Sequence, residues 1–456
     1  MKTVAFHNLG CKVNSYEYEM MQQTVQKHGW KIVEFTQKAD IYIVNTCSVT
    51  NIADRKSRQM LHRARKMNPD AIVVATGCYA QTDTDGAKSD DAIDIVIGNN
   101  HKNEIVQIIE QYIVDNKLNV EVDDLSKPIS YEDYNIYGSN ERTRVDIKIQ
   151  DGCNQFCSYC IIPFARGRIR SRECESVVDE IKLLAKEGFK EIVLTGIHLS
   201  SYGLDFHEDV NGNTPSYNSI AATDSFTNHD LIYVIDEVSK IEGIERIRLG
   251  SLEPRVITEE FLLSISSNKK ICPHFHLSLQ SGCDETLRRM NRRYTAEEFY
   301  EKAELIRKYF THPALTTDII VGFPGETEEE FAETCRFVDR IDFYETHIFK
   351  YSKRKGTVAA TMSGQLTEAQ KAVRSDVLEE KNAMHSLEFR RELVGEKVLI
   401  LTEETKEIDG AIYTVGHTMD YVMMALPGEY AGNQIIGGTV EGFLRNDIML
   451  LKIDKE

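Results

Sequence analysis

The sequence predicts an α/β protein in three parts: an N-terminal parallel α/β unit, a central partial or full α/β barrel, and a small all-β domain at the C-terminus. Short apolar strands alternate with helices from residue 1 to about 119 and again from 144 to about 364. That alternation is typical of parallel sheets with crossover helices. From residue 394 onward, short strands are separated by glycine-containing turns, which is typical of a small barrel or sandwich.

The same patterns give approximate bounds for individual elements, because short apolar runs indicate strands and longer amphipathic runs indicate helices. In the N-terminal unit the predicted strands are 2–7, 41–44, 71–75 and 93–97, and the predicted helices are 15–28 and 53–67. In the barrel the predicted strands are 192–196, 247–251, 275–279, 316–323 and 346–351, with helices such as 176–188 and 296–309 between them.

Changes of composition along the chain predict the domain limits. The N-terminal unit covers 1–120, a polar linker 121–142, the barrel 143–366, a charged helical connector 367–392 and the β domain 393–456. A polar stretch, 204–230, interrupts the barrel and is too long for an ordinary connection. We expect a disordered surface insertion there, or else a lid or a partner-binding loop.

The charge balance excludes some functions. The 456 residues include 54 Lys and Arg against 72 Asp and Glu, a net charge of −18. Proteins that coat nucleic acid without specificity are basic, so a histone-like role is excluded, although a local basic patch is not. No signal-peptide pattern opens the chain, and nowhere do 18 apolar residues run together. We therefore expect a cytoplasmic protein that makes no use of a membrane and keeps its ten cysteines reduced.

Three cysteines follow the predicted strand RVDIKIQ at the spacing CxxxCxxC: Cys153, Cys157 and Cys160, which we name the compact triad. Thiols this close pair poorly as structural disulfides, and the third would be left over. A tetrahedral zinc site would need a fourth ligand nearby. Three thiolates can instead hold a four-iron cluster and leave one iron open. The spacing favours the cluster, and a zinc loop completed by a distant ligand is the alternative.

Three other cysteines each follow a predicted strand, in NLGCKVN, IVNTCSVTN and VVATGCYAQ. They are Cys11, Cys47 and Cys78, which we name the dispersed triad. Neighbouring strands of a parallel sheet end at one edge, so these cysteines are expected to converge in space. One buried cysteine alone is more often an inert core residue. Three at equivalent positions indicate a second iron–sulfur cluster.

Together these motifs resemble those of the radical S-adenosylmethionine methylthiotransferases over essentially the full chain. The matching stretches are GCKVN, NTCSVTN, TGCYAQ, GCNQFCSYCIIPFARGRIRSR, EIVLTGIHL, SLQSGC, RRYT, DIIVGFPGET and YSKRKGT. The resemblance implies an N-terminal cluster domain, a central radical domain and a C-terminal TRAM domain that binds RNA. The chain departs from the family at Cys283, where Ser is usual, and in the length of the 204–230 insertion. Neither departure affects a predicted cluster ligand.

The resemblance implies a reaction that replaces a C–H bond by C–S–CH3, with two [4Fe-4S] clusters and S-adenosylmethionine as cofactors. The cluster on the compact triad would generate the radical from S-adenosylmethionine. The cluster on the dispersed triad would hold or supply the sulfur, and a second S-adenosylmethionine would give the methyl group. Contacts to S-adenosylmethionine are expected from Tyr159, Thr195, Gly196, Glu253, Gln280, Asp318 and Val321.

Three branches of this family differ in substrate. They modify an aspartate of a ribosomal protein, isopentenyladenosine in transfer RNA, or threonylcarbamoyladenosine at position 37, beside the anticodon. The stretches GCKVN, CIIPFARG and YSKRKGT look most like the third branch, so we expect the 2-methylthio derivative of threonylcarbamoyladenosine as product. The other two substrates remain alternatives. An alternative of another class is a non-catalytic iron–sulfur protein that binds RNA or senses redox state.

The expected partners are a transfer RNA anticodon stem-loop carrying threonylcarbamoyladenosine, an electron donor such as a flavodoxin-type protein, and a sulfur source. The threonyl carboxylate favours arginine, which pairs with it through two hydrogen bonds. Candidates for that contact are Arg166, Arg168, Arg170, Arg172, Arg292 and Arg293. Candidates for phosphate contacts, on the helix after Cys47, are Arg55, Lys56, Arg58, Arg63, Arg65 and Lys66. From residue 391 onward six Lys and Arg face twelve Asp and Glu, which disagrees with simple electrostatic binding of RNA.

Overall fold

The computed structural model describes residues 2–115, 117–125, 129–134, 143–207 and 227–453. Its N-terminal part is a six-stranded sheet of β1 (Thr3–Asn8), β2 (Lys31–Val33), β3 (Ile41–Thr46), β4 (Ile72–Gly77), β5 (Ile95–Ile97) and β6 (Asn119–Glu121). The strand order is β2-β1-β3-β4-β5-β6, and every neighbouring pair is parallel. The predicted N-terminal parallel α/β unit is confirmed.

Helices cover both faces of this sheet. They are α1 (Lys12–Lys27), α2 (Asn51–Met67), α3 (Cys78–Thr82), α4 (Thr84–Lys88) and α5 (Ile105–Asp115). The burial of strand β3 explains the apolar run at its residues 41–44. Ile41 and Ile43 pack in the core beneath α1 and α5, whereas Tyr42 and Val44 pack in the core beneath α2. A parallel strand that is buried on both faces reads as a continuous apolar run.

Six parallel strands form a partial barrel in the centre of the chain. The strands of this region are β7 (Arg144–Asp151), β8 (Arg170–Ser171), β9 (Glu191–Gly196), β10 (Arg246–Leu249), β11 (His274–Gln280), β12 (Ala314–Val321) and β13 (Glu345–Lys350). One sheet has the order β10-β9-β7-β8, with β8 antiparallel to β7, and the other has the order β11-β12-β13. Two isolated parallel bridges, Ile247 to Ile271 and Leu252 to Leu277, join the sheets.

Helix α6 (Ile162–Arg166) follows the loop after β7 and lies against α3 of the N-terminal part. The helices that cover the outer face of the partial barrel are α7 (Cys174–Lys186), α8 (His229–Ser239), α9 (Glu259–Ser266), α10 (Asp284–Arg289), α11 (Ala296–Tyr309) and α12 (Glu328–Ile341). The starts of α11 and α12 follow from their sequences. Thr295 and Thr327 each form a reciprocal capping box with the glutamate three residues later, which satisfies backbone N–H groups at the helix start. Short 3₁₀ helices connect other elements.

Helix α13 (Glu368–Glu392) leads from the partial barrel to the C-terminal domain. That domain is a closed barrel in the order β14-β15-β16-β18-β17, so the sandwich alternative is wrong. The strands are β14 (Lys397–Ile408), β15 (Ala411–His417), β16 (Met423–Pro427), β17 (Ile435–Arg445) and β18 (Ile448–Lys452). The closed barrel packs against the start of β10, where Arg246 donates a hydrogen bond to the His417 carbonyl at 2.9 Å.

The structure contains three short strands that were not predicted, and it describes only part of the predicted insertion and linker. The sequence prediction missed β2, β6 and β8, which have two or three residues each and are too short for a periodicity. Of the predicted insertion 204–230, the structure shows a 3₁₀ helix at Leu204–His207 and the start of α8. Its residues 208–226 lie outside the described residues, as does part of the predicted linker. Among described helices, none is both long and apolar enough to span a membrane.

Candidate functional site

The dispersed triad lies at one edge of the N-terminal sheet, at the carboxyl ends of three strands in the order β1-β3-β4. Cys11 lies between β1 and α1, Cys47 directly follows β3, and Cys78 begins α3 after β4. The structure therefore brings together the three cysteines that the sequence singles out. Burial, together with the neighbouring Cys78 and Cys11, raises the pKa of the Cys47 thiol to about 11.

The turns that carry these thiols depend on close backbone approach. Gly77, directly before Cys78, has φ +94°, and a Cβ there would lie 2.7 Å from the Thr46 carbonyl oxygen. Only glycine combines that conformation with that contact. The Asn99 side-chain amide donates to the Cys78 sulfur at 3.5 Å and to the Ala165 carbonyl at 2.7 Å. Since Ala165 belongs to α6, this amide links the dispersed triad to the segment that follows the compact triad.

The compact triad occupies the loop between β7 and α6, at the carboxyl end of β7. The Gln155 backbone N–H donates to the Cys153 sulfur at 3.5 Å, and the Arg292 guanidinium donates to the Cys157 sulfur at 3.4 Å. Burial, together with the neighbouring Cys157, raises the pKa of the Cys153 thiol to about 12. The loop is anchored by Ser158, whose N–H donates to the Met290 carbonyl at 3.0 Å.

Both triads fit iron–sulfur clusters better than single metal ions. Sulfur atoms that share one tetrahedral zinc ion lie about 3.8 Å apart, given Zn–S bonds of about 2.3 Å. Among the described residues, one group of three His, Cys, Asp or Glu side chains has ligand atoms all within 4.8 Å of one another, and neither triad is that group. A four-iron cluster spaces its thiolates more widely. Its thiolates also need N–H donors and nearby cations, which Asn99, Gln155 and Arg292 supply.

Arg166 lies in a buried ion network between the N-terminal sheet and the partial barrel. Its guanidinium contacts Glu17 at 2.8 Å, Asp151 at 3.2 Å and the Asn14 side-chain oxygen at 2.5 Å. Its side chain has no solvent exposure, so the predicted contact with a substrate does not fit this position. Arg166 acts instead on the dispersed triad, where its charge lowers the pKa of the Cys11 thiol against the larger effect of burial.

The same network contains residues that sequence reasoning missed. Glu17 also pairs with Lys102 and, at 2.9 Å, with Lys148. Burial alone would raise the pKa of Glu17, but its three cationic partners hold that pKa well below the ordinary value. Each of these charged residues is isolated within the sequence of its own element, so no local sequence pattern indicates that they form one network.

Arg354 forms a second link between the two parts. It is buried, and its guanidinium contacts Asp54 at 2.6 Å, the Asn51 side-chain oxygen at 2.7 Å and the Ser48 hydroxyl at 2.9 Å. All three partners lie just after Cys47. Sequence reasoning used the YSKRKGT stretch only to choose a substrate branch, although its arginine fixes the Cys47 loop to the barrel.

A cleft lies between the compact triad and the loop that follows Cys47. Residues of both parts line it: Val49, Thr50, Tyr159, Cys160, Ile161, Ile162, Gln280, Asp318, Ile320, Phe349, Lys350, Tyr351 and Ser352. Three predicted cofactor residues, Tyr159, Gln280 and Asp318, are among them. Gln280 has φ +71° at an irregularity of the β11–β12 register, and backbone strain of this kind is concentrated at binding sites.

The other predicted cofactor residues fall into two groups. Thr195 and Gly196 lie at the end of β9, which pairs with β7. Glu253 acts on Arg292, the arginine that donates a hydrogen bond to Cys157: the charge of Glu253 raises the pKa of Arg292, whereas burial lowers it. These three residues therefore lie on the side of the compact triad. Val321 does not reach the cleft, because its side chain packs in the core beneath the outer helices. The alternation of β12 explains this, since Val321 and Ile319 share the outer face.

The predicted arginines divide between buried and exposed positions. Arg170 and Arg172 are buried in ion pairs with Asp151 and Glu180, so neither faces solvent. Arg168 and Arg293 are exposed, and the Arg168 guanidinium lies 4.6 Å from the centre of the Phe156 ring. On α2, Arg55, Lys56 and Arg58 are exposed, and Arg58 lies over the Tyr79 ring.

Comparison with protein families agrees with both parts of the site. Residues 147–338, which hold the compact triad, match the family model described as Radical SAM superfamily. Residues 3–98, which hold the dispersed triad, match the model described as Uncharacterized protein family UPF0004. A solved radical S-adenosylmethionine methyltransferase, TsrM from Kitasatospora setae, superposes with a TM-score of 0.53 at 16% identity, over 79% of this chain and 74% of that chain. The likeness shows the fold alone.

Curated relatives match over nearly the whole chain. Threonylcarbamoyladenosine tRNA methylthiotransferase MtaB of Bacillus subtilis (strain 168) is 40% identical over 94% of this chain and 91% of its own length. The tRNA-2-methylthio-N(6)-dimethylallyladenosine synthase of Thermoanaerobacter pseudethanolicus is 36% identical, over 90% of this chain and 84% of its own length. With this extent of identity over most of both chains, the chain belongs to the radical S-adenosylmethionine methylthiotransferase family.

Proposed function

We propose that this enzyme transfers a methylthio group to carbon 2 of threonylcarbamoyladenosine at position 37 of transfer RNA. The observation that carries the proposal is the cleft that has Cys160 on one wall and the loop after Cys47 on the other. A reaction that needs both triads requires such an arrangement. The choice of substrate is supported by the 40% identity to a relative named for threonylcarbamoyladenosine.

The chain's own residues hold and enclose the reacting groups. We assign the compact and dispersed triads as ligands of the two clusters. When bound, the clusters and S-adenosylmethionine supply the one-electron chemistry, the sulfur and the methyl group. Thr195, Gly196 and Glu253 lie where they can bind and orient the cofactor beside Cys157, and Tyr159, which lines the cleft, packs edge-on against Phe323. Exclusion of water from the cleft during the reaction protects a reactive intermediate.

Exposed aromatic side chains give this part of the protein the surface that a single-stranded RNA loop needs. Phe349 lines the cleft and is 46% exposed, and Phe156 and Phe164, in the segment around the compact triad, are 37% and 52% exposed. Phe156 packs edge-on against Phe164, and Arg168 lies over the Phe156 ring. Unpaired bases stack on exposed rings and guanidinium planes of this kind, whereas phosphates pair with arginines such as Arg55.

The test of the proposed function is mass spectrometry of nucleosides after anaerobic incubation of the cluster-loaded enzyme with S-adenosylmethionine, a reductant and a sulfide source. One transfer RNA carries threonylcarbamoyladenosine at position 37 and a matched one carries isopentenyladenosine. We expect a methylthio product from the first and none from the second. A product from the second alone would favour the branch represented by the Thermoanaerobacter relative. Absence of both products, with S-adenosylmethionine still cleaved, would overturn both RNA substrates and favour the ribosomal-protein aspartate.

Replacing Arg354 by alanine is expected to uncouple the two halves of the reaction. The loop after Cys47 loses its link to the barrel, so the dispersed triad shifts relative to the compact one. Small displacements of reacting groups can cost up to about 100-fold in rate. We expect cleavage of S-adenosylmethionine to continue while methylthio product per cleavage falls about tenfold or more. The control is Arg336→Ala, an exposed position on α12. An unchanged product ratio in Arg354→Ala would contradict this role.

Four predictions from the sequence stay predictions. They are RNA binding by the C-terminal barrel as a TRAM domain, a flavodoxin-type electron donor, a sulfur source and a cytoplasmic location. The C-terminal barrel contacts the starts of β7 and β10, through Arg144 to Glu403 and Arg248 to the Met419 carbonyl. It therefore packs at the opposite end of the strands from the compact-triad loop, and we propose that it contacts transfer RNA away from the reacting base.

A further inference from the structure

Outside both cysteine triads, three side chains of ligand type meet on the partial barrel. They are His276 of β11, Asp318 of β12 and His347 of β13. One ligand atom of each lies within 4.8 Å of those of the other two. Nothing in the proposed reaction uses the two histidines, and the sequence singled out only Asp318, as a contact to S-adenosylmethionine.

The strand register brings the three side chains together. In the parallel sheet, Asp318 pairs with His347, and His276 pairs with Thr316, which lies two residues before Asp318 on the same face of β12. Neighbouring strands are about 4.8 Å apart, and alternate residues share a face. The residues next to the three in sequence, such as Leu277 and Ile319, pack in the core beneath the outer helices. The three ligand side chains therefore face the inside of the barrel.

The side chains are also oriented as ligands. The Nδ1 atom of His276 lies 3.0 Å from the Thr316 hydroxyl, which fixes the ring and leaves Nε2 pointing at Asp318, 3.3 Å from its Oδ2 atom. The rings of His276 and His347 stack nearly parallel, 21° apart, with centroids 5.7 Å apart. A hydrogen bond on the second ring nitrogen is the usual device that orients a metal-binding histidine.

We propose that His276, Asp318 and His347 bind one divalent first-row transition metal ion, of the class of Fe²⁺ and Zn²⁺. Two imidazoles and one carboxylate are a ligand set that these ions take when coordination positions stay open for water or substrate. Two ligand atoms about 2.1 Å from one ion lie about 3.0 to 3.4 Å apart, and the observed separation between His276 and Asp318 is 3.3 Å. The ion ties three adjacent strands together below the cleft that Asp318 lines.

The proposal changes the role of Asp318 from a contact with S-adenosylmethionine to a metal ligand. The open positions of the ion face the inside of the barrel, where they can take water or an oxygen of a molecule bound in the cleft. The site is distinct from the iron–sulfur clusters, because it contains no cysteine and lies on three strands that carry none of the six cluster cysteines.

The test uses Co²⁺ as the probe on the enzyme loaded with both clusters in their oxidised, diamagnetic state. After desalting, metal analysis and electron paramagnetic resonance measure the bound high-spin Co²⁺. We expect one Co²⁺ per chain, with the iron content unchanged, and at least about tenfold weaker binding in His347→Gln and Asp318→Asn. His347 is exposed, so its replacement leaves the fold intact.

The matched control is His274→Gln, on the same strand and the same face as His276 but outside the group of three. It is expected to retain Co²⁺ with wild-type affinity. Retention of Co²⁺ in both His347→Gln and Asp318→Asn would place the ion elsewhere and overturn the proposal. Absence of stoichiometric Co²⁺ from the wild-type enzyme would also overturn it, leaving His276 and Asp318 as an ordinary hydrogen-bonded pair.

Discussion

Replacing Cys157 by serine is expected to reduce cleavage of S-adenosylmethionine to background. Cys157 is the thiol that accepts a hydrogen bond from the half-buried Arg292 guanidinium, so its loss removes one of three cluster ligands and leaves that cation without its sulfur partner. A serine hydroxyl is a poor ligand for iron, and a cluster with two thiolates is not retained. Iron should fall from about eight to about four atoms per chain, because the dispersed triad still holds its cluster.

The measurements are 5′-deoxyadenosine formation and iron content after anaerobic reconstitution. Cys335→Ser is the matched control, because Cys335 is a lone, partly buried cysteine on α12 that takes part in neither triad. It should keep both the iron and the activity. Formation of 5′-deoxyadenosine at the wild-type rate by Cys157→Ser would show that the compact triad is not the radical-generating centre.

Replacing Arg166 by alanine is expected to destabilise the protein and to empty the dispersed triad. Arg166 is fully buried between Glu17 and Asp151, and removal of one partner from a buried ion network costs about 3–5 kcal/mol. The same change removes the cation that favours the thiolate of Cys11. We expect a lower midpoint of thermal unfolding, loss of about half of the iron, and no methylthio product.

Two further variants separate charge from geometry in this prediction. Arg166→Lys keeps the charge but not the two-pronged contact with Glu17, so we expect intermediate stability and partial iron retention. Arg391→Ala, at an exposed position near the end of α13, should behave as wild type. If Arg166→Ala kept its full iron content and its unfolding midpoint, the network would be only a packing feature.

Local patterns were sufficient to predict the architecture and the cysteine positions. A strand with an unbroken apolar run, such as residues 41–44 of β3, is typically buried on both faces, and turns such as Gly77–Cys78 directly follow strands of this kind. The convergence of Cys11, Cys47 and Cys78 then follows from parallel topology. A ligand motif that lies within one loop, such as CxxxCxxC, can likewise be recognised from the sequence. These features depend on neighbours along the chain, which the sequence displays.

Contacts between distant segments were not predictable in the same way. A single arginine reads the same whether it faces solvent, as Arg168 does, or is enclosed by carboxylates from elsewhere, as Arg166 is. The substrate role predicted for Arg166 failed for this reason. The cofactor contact predicted for Val321 does not fit the structure, because side chains alternate along β12 and that of Val321 points away from the cleft. The histidines of β11 and β13 meet only because of strand register, and no local pattern encodes that.

The buried charges around Arg166 also limit how this enzyme can be divided. Glu17 on α1 and Lys102 in a 3₁₀ helix belong to the N-terminal part, whereas Lys148, Asp151 and Arg166 belong to the barrel, and every one of them is buried. If the two parts were expressed as separate fragments, each fragment would carry charged side chains whose neutralising partners lie on the other fragment. A chimaera that exchanges residues 1–120 for those of a relative must therefore carry a matching acid and base at positions 17 and 102. The two parts are therefore joined by this charge network as well as by the peptide linker, and residues 17 and 102 have to match the barrel charges whenever the parts are recombined.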